Sequence, residues 1–153
     1  VLADKKKTIT ERDLESLVSD EAYAVTEIFK LKSMSLTAGT KKKPSAEVEL
    51  IMKGKTIKAK VYGAGPVDAV YSAIKKLTKT NPQLVDYSIQ AITGGTDALG
   101  EVTVRISDGQ KIFIGQGADI DNLVASAKAF LAAINRLLYD KGAAKRKGLE
   151  KVL

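Results

Sequence analysis

Two short stretches of this chain carry residue types that could hold a small charged molecule. Gly63-Ala64-Gly65-Pro66 joins an alternating apolar segment to a helical pattern. Glycine lets backbone approach a ligand closely, and exposed N–H groups at a helix start favour a carboxylate or phosphate. Gly115-Gln116-Gly117-Ala118-Asp119-Ile120 stands at the corresponding place before a second helical pattern. There Asp119 and Asp121 would repel an anion and could accept hydrogen bonds from an ammonium group. One helix entrance suits a carboxylate and the other an amine, and an amino acid is the smallest ligand that fits both. Purely structural readings stand beside these, since glycine turns between strand and helix are common and both aspartates could simply cap the helix. Gly65 is followed by Pro, no Gly-Lys-Ser/Thr occurs, and the acidic residue expected after a second strand is missing. Neither a Walker loop nor a dinucleotide fingerprint is present.

Between the two entrances, Tyr87 and Ala91 share one face of an expected strand, and a Gly- and Ala-rich loop follows through Gly94-Gly95 to Ala98 and Gly100. An aromatic beside small residues is a common core arrangement. It equally suits a pocket for a branched aliphatic side chain, whose burial is worth about 1.5–3 kcal/mol.

The elements that must position these residues are written twice. Glu47, Val48, Gly63, Ser72, Ala73 and Leu77 recur as Glu101, Val102, Gly117, Ser126, Ala127 and Leu131, about 54 residues later. In the first copy a strand over Ile28–Ala38 and a turn over Gly39–Pro44 precede a hairpin. There Val48, Leu50 and Met52, then Ile57, Ala59 and Val61, alternate with polar residues about the turn Lys53-Gly54-Lys55. Pro66 at the first helical position and Asp68 in the first turn start a helix with Val67, Val70, Ile74 and Leu77 on one face, ending near Asn81-Pro82. In the second copy Leu84–Ile92 is the strand, and a hairpin runs through Val102, Val104 and Ile106, the turn Asp108-Gly109, then Ile112 and Ile114. A helix capped within Asp119–Asp121 buries Leu123, Ala127, Phe130, Ile134, Leu137 and Leu138. The order βββα-βββα predicts an α+β domain of antiparallel sheets covered by two helices. It is preceded by a short helical linker that opens at Thr10 and carries Leu14, Leu17 and Val18. The expected division is linker 1–22, domain 23–142 with repeat units of about 28–80 and 83–140, and basic tail 143–153.

Composition removes much chemistry. With 153 residues and 44% hydrophobic content there is room for one core, and the absence of Cys and His excludes disulfides, thiolate nucleophiles, imidazole bases and His/Cys metal sites. Charges interrupt every apolar stretch well short of the ~20 residues a membrane span needs. No signal-peptide pattern opens the chain, so a soluble cytoplasmic protein is the expectation. Starting without Met at Val1, it reads as a piece of something longer. The formal charge of +7 comes from lysines in Lys5–Lys7, Lys41–Lys43, Lys53–Lys60 and Lys141–Lys147, mostly at ends and turns. Such runs are usually solvated surface. A nucleic-acid module is the competing class, although aromatics make up only 5% of the chain and no strand carries a base-stacking pattern. An independent enzyme is disfavoured because Asp86, Asp97, Asp119 and Asp121 have no spacing that suits catalysis. A purely structural dimerisation module stays open.

Several motifs occur together in order: Leu2-Ala3-Asp4-Lys5-Lys6-Lys7, Thr10 to Val18, Gly63-Ala64-Gly65-Pro66-Val67-Asp68-Ala69, Asp86-Tyr87, Asp97-Ala98-Leu99-Gly100-Glu101-Val102, and Ser126-Ala127-Lys128-Ala129 through Ala133-Ile134-Asn135. Over nearly the whole chain this resembles the C-terminal regulatory region of 2-isopropylmalate synthase, a pattern shared with citramalate synthase. The resemblance implies a domain that binds an end-product amino acid, leucine before isoleucine, at a homodimer interface to inhibit an N-terminal catalytic barrel. That barrel would condense acetyl-CoA with a 2-oxo acid at a divalent metal, and neither barrel nor metal ligands are in this chain, which needs no cofactor of its own. It implies effector contacts at Gly63, Gly65 and Val67, at Leu84, Tyr87 and Ala91, at Ala98 and Gly100, and at Asp119 and Ile120. No nucleic acid and no membrane belong to that picture. Ala64 departs from the family, many of whose members carry Asn there.

Overall fold

The computed structural model describes residues 27–92 and 99–152. The expected linker over 1–22, Gly94-Gly95 and Ala98 lie outside them. Three strands, β1 (Lys30–Gly39), β2 (Lys42–Met52) and β3 (Lys55–Tyr62), form one antiparallel sheet and lead into helix α1 (Pro66–Thr78). Three more, β4 (Gln83–Ile92), β5 (Leu99–Asp108) and β6 (Lys111–Asp119), form a second sheet and lead into helix α2 (Asn122–Val152). The duplicated α+β architecture is the one the repeat predicts.

Local chemistry explains each element. Lys53 and Gly54 both take positive φ, 50° and 77°, the twist that a tight hairpin between right-twisted strands requires. The register then sets Val48 against Ala59 and Leu50 against Ile57 on the face toward α1, with Glu47 against Lys60 and Glu49 against Lys58 on the wet face. Pro66 opens α1, and Lys79 closes it in the left-handed region with its N–H bonded to Lys75 C=O, so the helix stops short of Asn81-Pro82. Asp121 caps α2 by accepting the Leu123 N–H at 2.8 Å. The helix runs on through the basic stretch beyond residue 142 to Val152.

In β6 the residues facing α2 are Phe113, Gly115 and Gly117, paired with Ile106, Val104 and Val102. Ile112 and Ile114 sit on the other side of the strand, and Ile112 is 56% exposed. The reason is the helix: a Cβ at Gly115 would strike the Ala129 carbonyl, and one at Gly117 would lie 2.5 Å from the Ala125 oxygen. Glycine is what lets α2 lie against the strand backbone.

The two units are bound to each other reciprocally. Helix α1 packs on β2 and β3, α2 packs on β5 and β6, and the helices touch each other. The rings of Tyr71 on α1 and Phe130 on α2 lie 4.5 Å apart, with Phe130 fully buried. The Tyr71 hydroxyl donates to the Pro82 carbonyl at 2.9 Å, so α1 holds the residue just ahead of β4. Asn135 of α2 does the same for β1: its Oδ1 accepts the Phe29 N–H at 3.0 Å and its Nδ2 donates to the Phe29 carbonyl at 2.9 Å. Each helix thus anchors the start of the other unit. Asn135→Ala would leave two buried backbone groups of Phe29 unpaired, at a cost on the order of 2–4 kcal/mol. Urea unfolding should show that loss with an unchanged m-value; a loss below about 0.5 kcal/mol, the range of surface substitutions, would contradict the anchoring role.

Candidate effector site around strand β4

Strand β4 is an edge of the second sheet, and its inner face is largely bare. Leu84, Tyr87, Ile89 and Ala91 pair with Ile106, Val104, Val102 and Gly100 of β5, all buried toward α2, yet on β4 only Tyr87 is even partly covered. Eight large apolar side chains are exposed among the described residues. Six of them, Leu84, Val85, Ile89, Ile92, Leu99 and Ile120, lie on β4, opposite its end, or at the α2 entrance. Monomers seldom gather apolar surface this way without a partner or ligand for it.

Tyr87 is fixed from both sides. Its hydroxyl lies 2.6 Å from Ser126 Oγ, and Ser126 donates its single hydroxyl proton to the Asn122 carbonyl at 2.8 Å, so Tyr87 is the donor in the pair. Its ring lies 6.1 Å from that of Phe130, which continues the aromatic contact with Tyr71. Burial pushes the Tyr71 hydroxyl up to about 12, and the Lys75 ammonium stands 4.7 Å over the ring. Tyr71 and Ser126 did not stand out in the sequence as site residues. The signal for Ser126 was a hydroxyl recurring at the same place in both repeats, on the apolar side of α2.

The first entrance meets β4 near its start, where Val67, Asp68, Tyr71 and Lys75 of α1 and Asn81 to Leu84 line one open depression of about 660 Å³. Gly63 does not line it. A Cβ there would lie 2.6 Å from the Ala69 nitrogen, so close packing of α1 accounts for that glycine, while Gly65 has open space around it. Asp68 reaches back to accept the Ala64 N–H at 2.9 Å, stapling the loop from the helix side. The first helical bond runs from Ala69 N–H to the Gly65 carbonyl, which leaves the Val67 and Asp68 amides ahead of it.

The second entrance adjoins Ala91 and Gly100. A Cβ on Gly100 would strike Asn122 Oδ1, and Gly100 pairs with Ala91 on one side and Asp119 on the other. Asp119 is engaged already: it accepts the Asp121 N–H at 3.0 Å and the Lys128 ammonium at 3.0 Å. The Asp121 amide first, and Lys128 second, hold its carboxyl below the ordinary aspartate range. Ile120 beside it is 68% exposed. Ala98 lies outside the described residues. Val67 at the first entrance and Gly100 at the second therefore adjoin opposite ends of β4, whereas Gly63 packs away from it.

The lysines of the first sheet's wet face stand against glutamates, with Lys58 Nζ 3.8 Å from Glu47. Among the described residues no cluster of three acidic side chains could hold a metal ion, and no described helix is long and apolar enough to cross a membrane.

Duplicated βββα units with crossed anchors and one uncovered strand define a small, internally repeated α+β class. Within it, a family model described as the LeuA allosteric (dimerisation) domain matches residues 8–138, and the chain belongs to that family. It is 46% identical over 140 residues, 91% of its length, to the 2-isopropylmalate synthase of Carboxydothermus hydrogenoformans. It is also 46% identical over 136 residues to that of Nitrosospira multiformis, and 41% identical over 152 residues to that of Trichodesmium erythraeum. The chain spans 27–28% of the length of these relatives.

Gly63→Ala should cost about 1–3 kcal/mol by overpacking against α1, whereas Gly65→Ala, at φ −150° with free space, should stay within about 0.5 kcal/mol. Urea midpoints of the two variants decide it. Equal effects would mean that Gly63 is not a packing glycine.

Proposed function

We propose that this chain is the effector-binding regulatory domain of a 2-isopropylmalate synthase, that it binds leucine, and that a second copy completes the site. The observation that supports this most is the bare inner face of β4, flanked by both helix entrances in a chain of this family. The isobutyl group lies between Leu84 and Tyr87 of one copy and Ala91 and Ile120 of the other, where burial is worth about 1.5–3 kcal/mol. The carboxylate takes the free amides of Val67 and Asp68 at the positive end of α1, with Gly65 giving room. The ammonium takes a remaining carboxylate lone pair at Asp119 or Asp121 beside Gly100 of the second copy, because the two entrances of one chain stand at opposite ends of β4. The site's polar parts are thus backbone and caps, and its apolar parts are the surface the fold leaves open.

Inhibition follows from differential binding. Leucine must hold one arrangement of the two copies more tightly than the other, and a preference of about 1–3 kcal/mol is typical of such coupling. A site shared between chains supplies that difference, because rotating one chain against the other changes its shape. The catalytic part that receives the signal, with its divalent metal and its acetyl-CoA and 2-oxo acid substrates, belongs to the rest of the longer cytoplasmic protein. Isoleucine as effector is the second choice, since moving one methyl branch is worth only ~1–3 kcal/mol in an apolar pocket.

Isothermal titration with leucine, isoleucine and valine at two salt concentrations tests the reading. Saturable heat with leucine, little changed by salt, is expected, and Ile120→Asp should weaken it at least tenfold while leaving the urea midpoint in place. Heat from none of the three, or undiminished affinity in Ile120→Asp, would contradict it.

A further inference from the structure

The two sheets have four free edges, and three of them are guarded. Along β6, the Arg136 guanidinium donates to the Ile114 carbonyl and the Lys128 ammonium to the Ala118 carbonyl, so α2 caps that edge from above. Along β3 the exposed Lys55, Lys58 and Lys60 provide the charges that discourage strand addition. Strand β1 carries Lys30 and Lys32 and is broken in register between Leu31 and Ser33 and again between Thr37 and Gly39. Strand β4 differs from all three. Its one irregularity falls between Leu84 and Asp86, and from Asp86 to Ile92 it runs regularly, with no lysine, no arginine, no proline and one charge at its end.

We infer that β4 is a strand-addition edge and that the strand it takes is β4 of a second copy, antiparallel, in one six-stranded sheet across the two chains. The inference rests on the shared-site reading above and states how the chains meet. Its register follows from the pleat. Both inner faces must point to the same side of a continuous sheet, so a residue of odd number faces one of odd number, and the two-fold axis passes through a residue. Centring on Ile89 uses the whole regular run from Asp86 to Ile92. It places Ile89 against the partner's Ile89 and Tyr87 against the partner's Ala91. Two residues of the candidate effector site then meet across the seam, and the site is incomplete in a single chain. Main-chain hydrogen bonds supply the affinity, and the exposed Ile89 and Ile92 side chains gain cross-strand neighbours.

The chain has no cysteine, so one introduced thiol reports without background. Cβ atoms facing each other across an antiparallel pair lie about 4.5–5.5 Å apart, within reach of a short bis-maleimide and near that of a disulfide. Ile89→Cys protein, folded by its urea midpoint, should be linked in pairs in most chains, doubling the 16.4 kDa mass on a denaturing gel. Ile112→Cys, 56% exposed against 48% for Ile89, should stay at monomer mass under the same treatment. Unlinked Ile89→Cys protein, or equal linking in both variants, in a chain that sediments as a dimer would overturn the strand addition and leave the shared site standing. A chain that sediments as a monomer, with leucine and without, would overturn both.

Discussion

The fold depends on the contact of Tyr71 with Phe130, one ring from each helix. Each helix on its own sheet makes a thin two-layer unit of three strands, marginal in isolation because too little of its surface is buried. Joining the helices turns two thin layers into one core. The aromatic contact supplies apolar area and a tilted ring geometry worth about 0.5–1.5 kcal/mol beyond it. It also aims the Tyr71 hydroxyl at Pro82 and sets Phe130 beside Tyr87. With Asn135 holding Phe29, the chain is closed into a ring in which each unit's helix fixes the other's first strand.

That closure also determines where the molecule is unfinished. Helix α2 lies over β5 and β6 because glycines at 115 and 117 let it approach there, and lying there it cannot also cover β4. The strand between the two helix entrances is therefore the one left with its apolar face in water. Structure and candidate function have one cause: the small residues that bring α2 down onto one side of the sheet leave the other side exposed, where the proposed ligand and partner would sit. On the proposed reading, an end product acts on this surface because the pieces that would enclose it belong to different chains.

Much of this was legible in the sequence. The repeat, both hairpin turns, the Pro66 helix start and the alternation of Val48, Leu50, Ile57 and Ala59 are local patterns, and the structure contains each of them. The facts hidden from it are long-range. Asn135 and Phe29 are 106 residues apart, and nothing in either neighbourhood announces the other. Alternation alone places Ile112 and Ile114 in the second hairpin, but Phe113 and the two glycines after them face the helix, since what α2 needs at 115 and 117 is space rather than hydrophobicity. Gly63 reads like a ligand glycine for the same reason: a missing Cβ looks alike whether a ligand or a helix takes its place. Whether β4 is covered depends on the lateral position of a helix, which no strand pattern encodes.

If one chain carries an incomplete site, a second copy and the effector complete it together. Binding linkage makes this measurable, because a ligand held by two chains must tighten their association. Sedimentation equilibrium of the chain, with and without saturating leucine, reads it most directly. The dimer dissociation constant should fall about tenfold or more with leucine present, and one that leucine leaves unchanged would rule out the shared site.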